Sequence, residues 1–204
     1  MSVKENPGTS RHWDASKIGE IVTHSQYPQT LMTTLVAFSG STRSASFHTR
    51  IIHAMAGLAP SDVRIALFDL SDVPFYNQDL EGDALPESVQ ALRAAVVEAD
   101  GLIFAAPEYN GSYSALTKNT IDWLSRPMGQ GVLKDKKVAV VSVTPGPGAG
   151  KRVSEQLGAL LGFFGNTVVA TVNAPTVHEK LDATSDVVVD EELATQLRHA
   201  LSLF

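Results

Sequence analysis

From residue 33 onward, short β-branched runs alternate with stretches whose apolar residues recur every three to four positions, the signatures of strand and amphipathic helix. Residues 35–38 read as a first strand, after which Phe47, Ile51, Met55 and Leu58 fall on one helical face. Residues 63–68 give a second strand. Beyond the loop DVPFYNQDLEGD, Leu85, Val89, Leu92 and Val96 stripe a second helix. Residues 101–106 form a third strand, apolar on both faces as in the middle of a sheet covered on both sides. The pattern predicts a short helix over 114–124 and a fourth strand over 138–143. Val153, Leu157, Leu160 and Phe164 stripe another helix, residues 167–172 make a fifth strand, and Leu193, Leu197, Leu201 and Phe204 mark a closing helix. Such alternation implies an α/β fold, a parallel sheet between helices joined by right-handed crossovers.

Residues 1–31 show no sustained period and read as a poorly ordered or separately docked arm, which leaves 32–204 as the domain and Met32 as a candidate alternative start. The remaining composition is that of a globular protein, with 44% apolar and 19% charged residues. The apolar runs are too short for a membrane span, and a cytoplasmic location is expected. A net charge of −6 argues against general affinity for nucleic acid or anionic lipid, so an anionic ligand must be caught locally. The absence of cysteine excludes disulfides and thiol chemistry, and the histidines show no HxxxH or HExxH spacing, so no metal site is expected. No GxSxG elbow occurs, which removes the usual hydrolase signature.

In folds of this kind ligands bind outside the carboxyl ends of the strands, where strand order reverses. The unusual residues concentrate there, in SGSTRSAS, PEYNGSYS and TPGPGAGKR after the first, third and fourth strands. The first loop and its flanks hold six hydroxyls, Ser39, Ser41, Thr42, Ser44, Ser46 and Thr49, around Gly40 and Arg43. They read either as an over-provided helix cap or as a phosphate cradle, in which helix amides, hydroxyls and a bidentate Arg43 meet acceptor oxygens. Ser41, Arg43 and Ser46 are the candidates for direct contact. In the second loop Pro107 stops the strand, and Glu108, Tyr109, Asn110 and Gly111 read either as a plain Asn-Gly turn or as amides and a ring meeting a flat heterocycle. The third loop misses the P-loop pattern at Pro145 and Arg152. It misses the dinucleotide pattern because its last glycine falls at 150 rather than 151. What remains is a glycine-rich turn, either plain or one that lets backbone approach a ligand.

Taken together, GSTRSASFH, PEYNGSYSALTKNTIDWLSRP and TPGPGAGKR resemble the NAD(P)H-dependent FMN reductases, a flavodoxin-like group that includes bacterial quinone and chromate reductases, over roughly residues 33–200. The resemblance implies a flavodoxin-like three-layer sandwich with a five-stranded parallel sheet in the order 2-1-3-4-5. It implies FMN as cofactor and NADPH or NADH as donor, with hydride passing through flavin N5 to quinones, free flavin or other small acceptors. The cofactor carries that chemistry, so no catalytic side chain is named. The FMN phosphate loop of the group maps onto Gly40, Ser41, Arg43 and Ser46, beside Phe47. Its final Asn corresponds to His48, a departure that makes FMN affinity pH-dependent if the imidazolium donates to phosphate. Pro107, Glu108, Tyr109, Asn110 and Gly111 map to the border of the isoalloxazine. Lys118, Asn119, Ile121, Asp122 and Trp123 match the helix that follows, with Ser114 and Ala115 in place of the usual Pro-Gly. Thr144, Pro145, Gly146 and Gly150 match the turn near the flavin, with Ala149 in place of a usual Gly. A homodimer or homotetramer is also implied. Phe75 and Tyr76 in DVPFYNQD are then either a subunit contact or aromatics folded back onto the core. Two alternatives are a non-enzymatic electron carrier of flavodoxin type, which the modest charge disfavours, and a P-loop-like nucleotide-binding module using GPGAGKR.

Overall fold

The computed structural model describes residues 32–204, and the expectation of an arm at 1–31 lies outside them. In chain order the elements are β1 (Thr33–Ser39), α1 (Phe47–Leu58), β2 (Val63–Leu67), two 3-10 turns (Gln78–Leu80 and Gly82–Ala84), α2 (Glu87–Glu98) and β3 (Gly101–Ala105). They continue with β4 (Glu108–Tyr109), β5 (Ser112–Tyr113), α3 (Ala115–Ser125), β6 (Lys137–Val143), α4 (Lys151–Phe163), β7 (Thr167–Ala174), α5 (Val177–Lys180) and α6 (Glu191–Leu201). The five long strands form one parallel sheet in the order β2-β1-β3-β6-β7, the expected arrangement. Strands β4 and β5 form a separate antiparallel pair.

The two-residue period of the strands builds both halves of the core. Val36, Phe38, Leu102, Phe104, Val138 and Val140 face α2, α3 and α4, where Val89, Leu92, Ile121, Leu124, Val153 and Leu157 meet them. The intervening Leu35, Ala37, Ile103, Ala105, Ala139 and Val141 face α1 and α6 through Ile51, Met55, Leu193 and Leu197. Each fully buried large side chain here contributes about 1.5–3 kcal/mol of apolar burial. Strand β3 is buried along its whole length, as its unbroken apolar run requires.

Several boundaries differ from the periodic reading. Leu85 lies outside α2, because Pro86 occupies the cap position and its ring disfavours helical backbone at the residue before it, which is extended. Phe204 lies beyond α6, where its ring covers Gly101 at the start of β3; a Cβ at 101 would collide with it. The hairpin β4–β5 and the short helix α5 carry too few residues to produce a period.

The 70s loop hangs on α3. The Pro74 carbonyl accepts from Asn119 Nδ2 (2.9 Å) and Trp123 Nε1 (2.7 Å), and Asn119 Oδ1 accepts from the Tyr76 amide (2.7 Å). Tyr76 packs edge-on against Trp123 and donates to Glu81, so of the two aromatics expected in this loop Tyr76 folds back, whereas Phe75 is 77% exposed. Asn119 is buried, and removing it orphans the Tyr76 amide and leaves the Pro74 carbonyl to Trp123 alone. Asn119→Ala is therefore expected to lower the unfolding free energy by about 2–3 kcal/mol in urea titrations, with faster proteolysis at residues 73–77.

Candidate functional site

Strand β1 ends at Ser39, and Gly40 places its amide on the Ala105 carbonyl at the end of β3 (2.8 Å). Ser114 Oγ donates to the Gly40 carbonyl (2.7 Å), so this one residue joins two strand ends and the start of α3. Its tightness needs glycine, since a Cβ at 40 would lie 2.6 Å from Pro107 Cδ and collide with Thr117 Oγ1. The loop then rises to Ser46, which caps α1 by accepting from the Thr49 amide (3.4 Å). Arg43 is exposed, and its guanidinium reaches the Ala45 carbonyl (3.2 Å).

A cleft of about 370 Å³ opens beyond the ends of β1, β3 and β6. Ser41, Arg43, Ser46, Phe47 and His48 form one wall, Pro107, Glu108 and Tyr109 a second, and Val143, Thr144 and Pro145 a third. This brings together ten of the residues expected from the sequence. Gly40 is buried behind the first wall and Gly146 is exposed on the outer turn. Asn110 and Gly111 stand at the hairpin tip with φ of 53° and 79°, the pair of left-handed residues that a two-residue type I′ turn requires. The plain-turn reading of Asn-Gly thus describes its backbone, while Tyr109, 50% exposed, still reaches the cleft. Ser112 Oγ donates to Gln156 Oε1 (2.9 Å) and Gln156 Nε2 to the Gly111 carbonyl (3.2 Å), which ties the hairpin to α4. Val143 was not among the expected site residues; its position as the last apolar residue of β6 was the available signal.

The third loop is held from below. Thr144 Oγ1 donates to the Gly146 carbonyl (2.8 Å), and the Thr144 amide donates to Ala174 at the end of β7 (3.0 Å). Gly150 (φ 66°) caps α4, and a Cβ there would strike Ser142, whose hydroxyl donates to the Ala106 carbonyl (2.7 Å). Ala149 shares the left-handed conformation (φ 52°) where the resembled pattern has glycine.

His48 is 6% exposed, and its Nε2 accepts from the Val143 amide (3.4 Å), tying α1 to the end of β6. Burial lowers its pKa to about 4, with the Ala106 backbone opposing the shift and the Arg43 charge adding to it. The burial and the Val143 contact, which protonation of Nε2 would break, weigh against the expectation of an imidazolium that grips phosphate.

On the other flank of the first loop lies a second cleft, of about 350 Å³, between the ends of β1 and β2. Thr42, Ser44 and Asp69 line it, and Ser41 and Arg43 line both clefts. Among the described residues no helix is long and apolar enough to cross a membrane.

Comparison with known proteins places these features among flavin enzymes. A family model described as NADPH-dependent FMN reductase matches residues 33–179. The chain is 38% identical over 174 residues to an NADPH:quinone oxidoreductase of Arabidopsis thaliana, covering 82% of this chain and 87% of that one. It is 36% identical over 143 residues to a 2-hydroxy-1,4-benzoquinone reductase of a Burkholderia species, covering 70% and 76%. Among solved structures it resembles the NAD(P)H:(acceptor) oxidoreductase FerB of Paracoccus denitrificans, with a TM-score of 0.74, 30% identity and coverage of 84% and 94%.

A folded-state pKa of about 4 against an unfolded value of 6.5 gives His48 a signed effect. Its contribution is intact above pH 6.5 and is lost as pH falls toward 4, on the order of 3 kcal/mol in all. Urea titrations at pH 7 and pH 4.5 are expected to show a larger acid loss for the native chain than for His48→Gln.

Proposed function

Since the chain belongs to the NADPH-dependent FMN reductase family, we propose that the cleft beyond β1, β3 and β6 is its FMN site. The protein is an FMN-dependent NAD(P)H oxidoreductase of the FMN and quinone reductase class. The observation that carries the site assignment is the convergence of three strand-end loops on one cleft whose donors are concentrated at one end.

The fit is chemical. The amino end of α1, the Ser41 and Ser46 hydroxyls and the Arg43 guanidinium offer donors and positive potential to a phosphate dianion, which has only acceptors. Phe47, Val143 and Pro145 supply apolar surface for a flat ring, with Pro107, Glu108 and Tyr109 along its other side. A volume of about 370 Å³ lies within the range of small-molecule sites. FMN, when bound, supplies the hydride chemistry. The chain's own work is to fix orientation and restrict water: Gly40 and Ser114 hold the first two walls together, and His48 holds the third. Gly111 and Asn110 shape the hairpin from its tip, and Gly146 shapes the outer turn. The matched relatives are named as reductases, which favours the enzyme over an electron carrier.

The acceptor class follows the quinone and flavin substrates that the relatives' names give. A homodimer or homotetramer in the cytoplasm completes the proposal, with exposed Phe75 and Tyr109 as the apolar contact. Sedimentation of Phe75→Glu is expected to give a smaller species than the native chain.

The site assignment is tested by flavin uptake. Purified protein mixed with FMN and desalted is expected to keep the visible absorption of oxidised flavin. Arg43→Ala is expected to weaken FMN binding about 10- to 100-fold, the loss of one charge-assisted contact of roughly 1.5–3 kcal/mol. Undiminished affinity in Arg43→Ala would remove the phosphate from this loop.

A further inference from the structure

One phosphate group does not need six hydroxyls, and the structure separates them. Only Ser41 and Ser46 face the FMN cleft. Ser39, Thr42, Ser44 and Thr49 line the second cleft, which also shares Ser41 and Arg43; Ser39 donates to the Ser41 carbonyl (3.1 Å) and Thr49 to Ser39 Oγ (2.8 Å), so Thr42 and Ser44 are its exposed hydroxyls. The facing wall is built by the end of β2: Leu67 and Phe68 give apolar surface, and Asp69 and Ser71 give an acceptor and a further hydroxyl. Asp69 Oδ1 accepts from the Ser71 amide (2.9 Å), and the Ser71 contacts hold its carboxyl below the usual carboxylate range, so it is an anion at neutral pH. The second cleft therefore combines a cation, a set of hydroxyls, an exposed carboxylate and an aromatic edge within about 350 Å³.

That combination suits a ribose phosphate carrying a flat base. A phosphate finds Arg43 and the hydroxyls, and a vicinal diol finds the carboxylate, which accepts two O–H donors at once. An acidic residue following the strand next to the first βα turn performs this task for the ribose of dinucleotides in other doubly wound sheets. The two clefts adjoin through Ser41 and Arg43, one to two strand spacings apart, roughly 5–10 Å. A dinucleotide laid across the rim at Arg43 can put its nicotinamide over the first cleft and its adenosine in the second.

We propose that the cleft between the ends of β1 and β2 binds the adenosine half of the nicotinamide dinucleotide, with the Asp69 carboxylate accepting from the ribose 2′- and 3′-hydroxyls. The proposal rests on the reading of the neighbouring cleft as the FMN site. It also assigns a discriminating role to Asp69. A 2′-phosphate would bring a second anion against this carboxylate while Arg43 attracts it, so removing the carboxylate shifts preference from NADH toward NADPH.

The test uses full-length protein saturated with FMN, whose visible spectrum reports that the first site is filled and the chain folded. Calorimetric titration with 5′-AMP and with 2′-deoxy-5′-AMP is expected to favour the diol at least fivefold in the native chain and less than twofold in Asp69→Ala. Asp69→Asn, which keeps the side chain's size, serves if Asp69→Ala takes up no flavin, with the same expected loss. In steady state either variant is expected to raise KM for NADH about tenfold. KM for reduced nicotinamide mononucleotide, which lacks the adenosine half, should stay within twofold, and the NADH to NADPH ratio of kcat/KM should fall at least fivefold. Equal binding of the two nucleotides by the native chain, or a diol preference that survives in the variants, would overturn the proposal while leaving FMN uptake intact. Failure of FMN uptake by the native chain would instead overturn the reading of the first cleft.

Discussion

The close approach at Gly40 is the constraint from which the rest of the binding face follows. One residue gives its N–H to β3 and takes a hydroxyl from the start of α3 on its carbonyl, in a space that a single methyl would overfill. Two loops some 70 residues apart in the chain are thereby held at van der Waals distance. Neither could shift without breaking a buried hydrogen bond, at about 1–3 kcal/mol for each group left unpaired. The third loop is joined to this pair by smaller contacts: the Ser142 hydroxyl on Ala106 and the Val143 amide on His48. A cleft assembled from loops thus has walls fixed largely by backbone, independently of the exposed side chains of Thr42 to Ala45 on the rim of the first loop.

The stretch that carries the resemblance most specifically, PEYN through KNTIDW, divides its work: Pro107 to Tyr109 line the cleft, while the KNTIDW part acts behind it. Ile121 is core, Lys118 and Asp122 pair across one helical turn, and Asn119 with Trp123 suspends the 70s loop from α3. From the opposite side Arg93 of α2 clasps the carbonyls of Trp123, Arg126 and Gln130, satisfying groups that the end of α3 leaves free. The KNTIDW part thus builds the scaffold behind a cleft that the PEY part lines.

Periodicity made the five strands, their flanking helices and the three strand-end loops legible, because alternation of two and of 3.6 reports directly which face is buried. It could not report which side of a loop a hydroxyl faces, so Ser46 and Thr42 looked alike although they line different clefts. His48 belongs to two patterns at once: it ends the loop motif, and its spacing of three and four from Ile51 and Ile52 and seven from Met55 sets it on the buried stripe of α1. The hairpin at Glu108–Tyr113 escaped notice because two-residue strands have no period; only Asn-Gly marked it. The end of β2 carried no unusual composition, so Asp69 became visible only when β2 was seen beside β1.

The strand order also says something about how such a surface comes into being. β1 pairs with β3 from Leu35 against Gly101, and β3 with β6 from Gly101 against Lys137, so the three loops meet only after closures of 66 and 36 residues. Parallel pairing at these separations is slow and cooperative, and no hairpin or single βαβ unit contains the whole cleft. The binding face therefore requires β1, β3 and β6 to be paired at once. Any ligand that recognises it acts on the native population alone, drawing the folding equilibrium forward by mass action.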